Sequence, residues 1–197
     1  MEKQDNVTER LSLIGKTFTE LLSLFLCEVK DDDDFYDVLA SNIAVNYPGR
    51  LTLLMKDFSG VRLRAALFGL AFEDGAEMHI APYLAHSDGL VVAAALDGLR
   101  RQSNPKFGPE IEELRLHSSP YVRGAFLRYV RAVCDFPIAL PYLINGLDDA
   151  NSIVRENALD ELTGIAPEGL RDKICQLLMD PVPEVRQAAQ SLLDFER

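Results

Sequence analysis

The stretch Leu147-Asp-Asp-Ala-Asn-Ser-Ile-Val-Arg-Glu-Asn-Ala-Leu-Asp-Glu-Leu162 decides the fold that this sequence predicts. It contains the end of one helix, a short polar turn and a second helix with one apolar face. In the second helix, Val154, Ala158, Leu159 and Leu162 have the spacing of a buried helical stripe. The stretch therefore predicts a helical hairpin.

The same pattern returns at a near-constant interval along the chain. One position of the second helix, here called the arginine position, recurs at intervals of 29, 31, 32 and 31 residues in Leu63, Val92, Arg123, Arg155 and Arg186. Three residues further on stand Ala66, Ala95, Phe126, Ala158 and Ala189, and seven residues further on stand Leu70, Leu99, Val130, Leu162 and Leu193. A period of this length is typical of solenoids built from stacked helical hairpins.

These residues resemble the HEAT repeat family, in particular its short bacterial form related to phycobilin-lyase repeats. The resemblance covers residues 50 to 195. It depends on the Val-Arg pairs at 122–123, 154–155 and 185–186 and on an acid in the turn before the second helix, Asp149 or Asp180. The first two repeats depart from the pattern, because Leu63 and Val92 occupy the arginine position. His86 and His117 occupy the position of the turn acid.

Period and resemblance together predict an all-α fold, a right-handed α-solenoid of about five HEAT-like hairpins after an N-terminal helical cap. We expect a single domain over residues 1–197, with the cap in 1–47 and the repeats in 48–197. The cap helices are predicted at Leu11–Val29 and Phe35–Val45. First helices are predicted near 50–57, 77–86, 109–117, 138–148 and 168–179, and second helices near 61–72, 90–102, 121–133, 152–164 and 183–195.

The charge of the chain argues against two classes of partner. Its formal net charge is −11 and its pI is about 4.7, whereas a nucleic-acid groove needs clustered lysine and arginine. An anionic membrane surface is disfavoured for the same reason. Lys16 and Glu20 interrupt the most apolar stretch, so we expect no membrane span. The polar first ten residues do not resemble a secretory leader, and we expect a cytoplasmic protein.

Candidate catalytic and metal-binding residues are few. Cys27, Cys134 and Cys175 are far apart and are expected to be small core residues. The acidic run 31–34 lacks the alternation and glycine of a calcium loop, so it predicts a solvated loop or helix start. His86 and His117 should lie on one edge, about one repeat apart, and would provide part of a metal site, but a polar turn role fits them better. We expect no catalytic residue, no metal and no cofactor.

The arginines and turn acids of the later repeats predict a structural network. Asp149 or Asp180 can accept hydrogen bonds from the arginine of its own or a neighbouring repeat and can also cap the second helix. We therefore expect Arg123, Arg155 and Arg186 to hold one repeat to the next rather than to bind a ligand.

The second helices of a helical solenoid line its concave surface, which is where we expect a partner to bind. The residues predicted to form this surface, here called the concave strip, are basic at the start and acidic at the end. Tyr129 and Phe68 are its expected aromatic anchors, since aromatic residues and arginine carry most binding energy in interfaces. The strip comprises Arg64, Phe68, Asp97, Arg100, Arg101, Arg128, Tyr129, Arg131, Glu156, Asp160, Glu161 and Asp194.

Three functions agree with these features. The first is a non-catalytic module that binds another protein, for example a bacterial immunity protein that blocks a basic toxin domain. The second, implied only by the family resemblance, is a lyase-like or chaperone role toward a tetrapyrrole-carrying protein. The third is a metal-dependent enzyme that uses the histidine edge. The resemblance also extends to alkylpurine DNA glycosylases, but an acidic chain without tryptophan does not fit their basic DNA-binding face. The first function is the one we expect.

Overall fold

The computed structural model describes residues 13–27, 33–103, 105–165 and 167–195. Throughout these ranges the regular elements are helices, and none is a strand. The chain divides into two compact units, Met1–Pro105 and Lys106–Arg197. That these units form a single domain stays a prediction.

The first unit consists of the cap and two hairpins. Its helices are α1 (Phe18–Cys27), α2 (Asp33–Asn46), α3 (Arg50–Leu54), α4 (Gly60–Leu70), α5 (Glu77–Ile80) and α6 (Gly89–Leu99). Each short first helix continues as a 3-10 helix, Met55–Asp57 after α3 and Ala81–Ala85 after α5. Helices α2, α4 and α6 pack side by side in that order, so the cap and the hairpins stack as a helical repeat array.

The second unit contains three further hairpins. Its helices are α7 (Pro109–Glu112), α8 (Pro120–Val133), α9 (Phe136–Gly146), α10 (Ser152–Leu162), α11 (Arg171–Leu177) and α12 (Pro183–Phe195). A 3-10 helix, Glu113–Leu116, extends α7, and another, Glu168–Leu170, precedes α11. The second helices α8, α10 and α12 pack side by side, which is the stacking of an α-solenoid.

Burial confirms the alignment of the repeats. The valines that stand one residue before the arginine position, Val91, Val122, Val154 and Val185, are at most 2% exposed. The residues three and seven places after each arginine position are buried in all five repeats. Second helices begin 29 residues apart in the first unit and 32 and 31 residues apart in the second, by subtraction of their first residues. The period read from the sequence is therefore the repeat of the structure.

Two glycines bring the second helices of the first unit close together. A Cβ on Gly69 would lie 2.8 Å from the backbone of Ala40 in α2, and one on Gly98 would lie 3.1 Å from the carbonyl of Leu67 in α4. Both glycines stand six residues after the arginine position. A side chain at this position would hold neighbouring helices apart.

The start of the first cap helix differs from the prediction. Helix α1 begins at Phe18 rather than Leu11, and Ile14, which lies within the predicted helix, is exposed. Thr17 and Glu20 form a capping box, in which the Thr17 N–H and hydroxyl donate to the Glu20 carboxylate at 2.7 Å and the Glu20 N–H donates back at 3.4 Å. This motif sets the helix start. Leu11 and Val29 lie outside the described residues.

The expectation of three core cysteines was wrong. Cys27 and Cys175 are exposed and Cys134 is half-buried. Cys27 is the last residue of α1, and Cys175 follows the buried Ile174 on the short helix α11. Apolar neighbours in the sequence therefore did not place these thiols on the buried face.

Within the described ranges, every helix is too short or too polar to cross a bilayer.

Candidate functional site

Arginine–aspartate pairs join successive hairpins of the second unit. Arg123 donates from Nε and Nη2 to both carboxylate oxygens of Asp149, at 2.8 and 2.7 Å. Arg155 donates in the same way to Asp180, at 2.8 and 2.9 Å. Each pair is bidentate, the strongest geometry for this interaction. The predicted network is therefore present at Arg123 and Arg155, each of which binds the turn acid of the next hairpin. Arg186, expected to hold its repeat to the next, donates instead to its own turn, at the carbonyls of Asp180 and Pro181.

The turn acids act on their own turns, but they do not cap the second helices. Asp149 accepts from the N–H of Asn151 at 2.8 Å, and Asp180 accepts from the N–H of Val182 at 2.9 Å. The side chain that caps α10 is Asn151, which accepts from the N–H of Ile153. The predicted capping role of Asp149 was therefore wrong, because this carboxylate stands two residues too early and closes the turn instead.

Each arginine lowers the pKa of the aspartate that it binds. Hydrogen bonds from Arg123 lower the pKa of Asp149, and hydrogen bonds from Arg155 lower the pKa of Asp180, in both cases against the opposing effect of burial. The same pairing raises the pKa of the Arg123 guanidinium. Both acids are therefore charged at neutral pH, and the pairs stabilise the stack.

His86 and His117 perform the same turn-closing task as the acids. The Nδ1 atom of His86 accepts from the N–H of Asp88, and that of His117 accepts from the N–H of Ser119, both at 3.0 Å. An accepting Nδ1 carries no proton, so the ring proton of each neutral imidazole is on Nε2. Their predicted role as polar turn residues is supported by this geometry. Within the described part of the chain, no three histidine, cysteine or acidic side chains are grouped to hold a metal ion.

The first unit has no arginine–aspartate pair at the equivalent positions and uses other contacts between its helical layers. Buried Gln102 accepts from the N–H of Ala76 at 3.1 Å and donates to the carbonyl of Leu70 at 3.2 Å. Arg62 reaches the end of α1, donating to the carbonyls of Phe25 and Leu26 at 2.7 and 3.1 Å. Because Leu63 and Val92 are apolar and buried in the core, the arginine position does not link one hairpin to the next in these two repeats.

The first part of the concave strip lies on α4 and α6 and the residues just after α6. Arg100 donates from Nε to Asp97 at 2.9 Å, and Arg101 stacks over the ring of Phe68 at 4.9 Å. Arg64 and Phe68 are half-buried, whereas Arg101 is exposed. Phe68 and Arg101 thus form a cation–π pair on this surface.

A groove of about 410 Å³ lies beside Phe68, between α2 and α4. Phe68 and Phe72, in edge-to-face contact at 5.6 Å, line one side. The lining residues are Asp34, Asp37, Val38, Ser41, Asn42, Phe68 and Phe72, here called the α2–α4 groove. Phe72 is 51% exposed. The groove therefore combines an exposed aromatic surface with carboxylates.

Two polar side chains of the groove donate hydrogen bonds to backbone carbonyls of their own helix, α2. The Ser41 hydroxyl donates to the carbonyl of Asp37 at 2.7 Å, and the Asn42 amide donates to the carbonyl of Val38 at 2.8 Å. The oxygens of Ser41 and Asn42 and the carboxylate of Asp34 can accept hydrogen bonds, and one N–H of the Asn42 amide is used within the helix. The groove is thus suited to a group rich in N–H donors.

Sequence reasoning did not find the acidic side of this groove. In the sequence, Asp34 belongs to the acidic run 31–34 and Asp37 to the predicted cap helix, and neither the repeat nor the charge pattern marks Phe72 as a surface anchor. A usable signal was present, because Phe72 follows Phe68 by four residues and so lies on the same face of a helix.

The second part of the concave strip lies on the second helices of the other unit. Arg128 hydrogen-bonds Asn157 of the next second helix, and Arg131 stacks over Phe136 at 6.0 Å. Glu156 and Glu161 are half-buried, while Asp160 and Asp194 are exposed. Burial raises the pKa of Glu156, and the nearby charges of Asp160 and Glu184 raise it further. This surface is therefore acidic on α10 and α12.

Tyr129 is placed in the core, so its predicted role as an exposed anchor was wrong. The side chain is 1% exposed, and its hydroxyl donates to the carbonyl of Lys106 at 2.7 Å. Tyr129 stands at the same repeat position as Gly69 and Gly98, which faces the neighbouring helix. Burial is the main cause that raises its pKa to about 12.

Comparisons with known proteins give a limited set of likenesses. No family model matches the chain, and no curated protein matches it. Among solved structures, an engineered protein from a structural genomics consortium is similar at 16% identity and a TM-score of 0.48, covering 90% of this chain and 96% of its own. A designed armadillo repeat protein in complex with the peptide (KR)4 is similar at 14% identity and a TM-score of 0.48, covering 92% and 100%.

The helical repeat class is visible in the stacked hairpins of each unit, and the closer resemblance to HEAT repeats stays a prediction. Among the features described, the α2–α4 groove, with Phe68 from the predicted strip at its edge, is the best candidate for a binding site.

Proposed function

We propose that this protein is a non-catalytic scaffold that binds another protein through the surface formed by its second helices. The observation that carries the proposal is the α2–α4 groove. Leaving Phe72 half exposed adds nothing to the stability of the fold, and exposed aromatic residues beside polar groups are typical of interaction sites. The location of this groove on second helices agrees with the surface that stacked helical repeats use for binding.

The chemistry of the groove favours a basic partner. Its lining includes the Asp34 carboxylate and the acceptor oxygens of Ser41 and Asn42, together with Asp37, and none of its lining residues is a lysine or arginine. A lysine or arginine of the partner could place its N–H donors on these oxygens and its aliphatic or planar part on Phe72. The net charge of −11 would also accelerate association with a basic protein.

A specific form of this proposal is an immunity protein that blocks a basic toxin domain inside the cytoplasm. Support for this form is the acidic charge of the chain together with the acceptor-rich groove. It predicts a captured partner with a basic isoelectric point and a capture that weakens as salt concentration rises. An acidic partner would contradict the toxin form while leaving the scaffold proposal in place.

The experiment compares affinity capture by the wild-type chain with capture by the double variant Phe68→Ala, Phe72→Ala. Leu53→Ala is the matched control, because Leu53 is an exposed apolar residue of the same unit on the first helix α3. We expect one partner, identified by mass spectrometry, that the wild type and control retain and that the double variant loses at least about ten-fold. Equal retention by all three proteins would refute the groove as the binding site.

A second capture experiment tests the unit Lys106–Arg197. Charge reversal at Arg128 together with Asp160 should reduce capture if the partner also reaches the second helices of that unit. Circular dichroism and thermal unfolding of each variant separate lost binding from lost folding.

A further inference from the structure

Arg186 has the same local geometry as the two arginines that bind turn acids. Its Nη1 donates to the carbonyls of Asp180 and Pro181 at 2.7 and 3.1 Å. Arg155 makes the equivalent bonds to Asp149 and Ala150 at 2.8 and 3.1 Å. Those of Arg123, to His117 and Ser118, have the same lengths as those of Arg155. The turn of each hairpin therefore holds its guanidinium in one fixed orientation.

The Nε–Nη2 edge of the Arg186 guanidinium differs from the same edge of Arg123 and Arg155. In Arg123 and Arg155, Nε and Nη2 bind the carboxylate of the following hairpin. For Arg186, no acceptor for these two donors is found among the residues that the structure describes. Arg186 is half-buried and already oriented, so a carboxylate could bind there with little further loss of side-chain entropy.

The surroundings of Arg186 indicate how a ligand would approach. Leu127 of α8 packs against Gly146 of the following helix α9, and the equivalent Leu159 is buried. In α12 the same repeat position is Gln190, which is exposed. The apolar residue that receives a following hairpin is thus replaced by a polar one, while the arginine is kept. This end is suited to a polar, reversible contact rather than to an extended apolar core.

The aspartates bound to Arg123 and Arg155 indicate what kind of ligand Arg186 would bind. Both carboxylates belong to an aspartate that also accepts a backbone N–H two residues further on in its own turn. We propose that the Nε–Nη2 edge of Arg186 is a binding site for the carboxylate of an aspartate turn in a partner protein. This contact lies on a different unit from the α2–α4 groove and does not depend on the function proposed for it.

The test uses NMR of the full chain, observing the Nε–H signals of Arg123, Arg155 and Arg186. The probe is a synthetic peptide with the sequence of residues 145–153, acetylated and amidated so that its termini carry no charge. The control peptide has Asn in place of the aspartate that corresponds to Asp149, and acetate serves as a free carboxylate. Arg186→Lys keeps the charge but removes the planar fork.

We expect the aspartate peptide to shift the Arg186 signal and leave the signals of Arg123 and Arg155 unchanged. The shift should need an at least about ten-fold lower concentration of this peptide than of the control peptide or acetate, and Arg186→Lys should abolish binding. The proposal is overturned by an equal response to the control peptide or by an equal response to acetate. It is also overturned if the aspartate peptide causes no shift, or if Arg186 in the free chain already matches the shift and slow solvent exchange of Arg123.

Discussion

Arg155 binds Asp180, a residue 25 places later in the chain, through two parallel N–H to oxygen bonds of 2.8 and 2.9 Å. The side chains of the pair are 12% and 5% exposed. Since both charges are largely removed from water, each depends on the other for compensation. This relationship makes the stability of the last two hairpins sensitive to a single carboxylate.

Replacing that carboxylate should destabilise the protein markedly. Asp180→Asn leaves Arg155 as a buried charge without its counter-ion, and we expect a loss of about 3 kcal/mol in the free energy of unfolding. The measurement is urea denaturation followed by circular dichroism.

The matched control is Asp148→Asn, which removes the ion pair of Asp148 with Lys173, where the aspartate side chain is 69% exposed. A pair at the surface contributes little, so its loss should cost less than about 0.5 kcal/mol. Similar losses in the free energy of unfolding for the two variants would show that the buried pair stabilises the protein no more than the surface pair. A double-mutant cycle between Arg155 and Asp180 should give a coupling above about 1 kcal/mol.

The pH dependence of stability should follow from the lowered pKa values of Asp149 and Asp180. Because unfolding releases both acids to an ordinary pKa of about 3.9, their contribution is fully present above that value. It is lost as the pH falls through the lower folded values, when the carboxylates become protonated. Denaturation curves at a series of pH values below about 5 measure this loss. Asp180→Asn should show a shallower decline, and an unchanged decline would contradict the assignment.

Adding one methyl group at Gly69 should disturb the packing of α2 on α4. The new Cβ would lie 2.8 Å from the backbone of Ala40, which cannot move like a flexible side chain. We expect Gly69→Ala to cost about 1–3 kcal/mol, although alanine is the better helix former. Thermal unfolding checks this, with Gly169→Ala as control, because a Cβ at Gly169 meets no atom within 4 Å. A stabilised Gly69→Ala variant would rule out the close approach of the helices.

Tyr129 should weaken the fold at alkaline pH. Its pKa is raised to about 12, chiefly by burial, whereas an unfolded tyrosine ionises at about 10. The neutral phenol is favoured in the folded state, so stability present below about pH 10 is lost as the pH rises beyond it. Tyr129→Phe should remove this part of the alkaline loss and cost about 1 kcal/mol at neutral pH through the missing bond to Lys106. The comparison is urea denaturation at pH 8 and above about pH 10, and a variant with the full alkaline loss would contradict it.

Much of the fold could be predicted because the repeat positions have a single physical requirement. The residues three and seven places after Arg155 must be apolar to fill the space between helices, and they are so in every repeat. The arginine–aspartate pairing could be predicted as well, since both partners recur with the repeat. Its direction, from one hairpin to the next, could not, because sequence spacing alone fits either neighbour.

The candidate site was harder to predict. Phe68 was predicted as an aromatic anchor of the concave strip, and Phe72 follows it by four residues. Asp34 and Asp37 approach Phe68 only through the packing of α2 on α4, which the sequence does not encode by a fixed spacing. Tyr129 was misplaced because its chemical type resembles that of an interface residue. Comparison with Gly69 and Gly98, small residues at the same repeat position, could have indicated that this position faces a neighbouring helix.

The most direct test of the proposed binding surface is photo-crosslinking in cells that produce the protein. A photoreactive phenylalanine analogue is placed at position 72 in one variant and at position 53 in another. We predict that the variant at Phe72 forms a covalent adduct with one discrete protein, and that the variant at Leu53 does not. Adducts that are absent from both variants, or the same in both, would contradict the claim that the α2–α4 groove binds a protein partner.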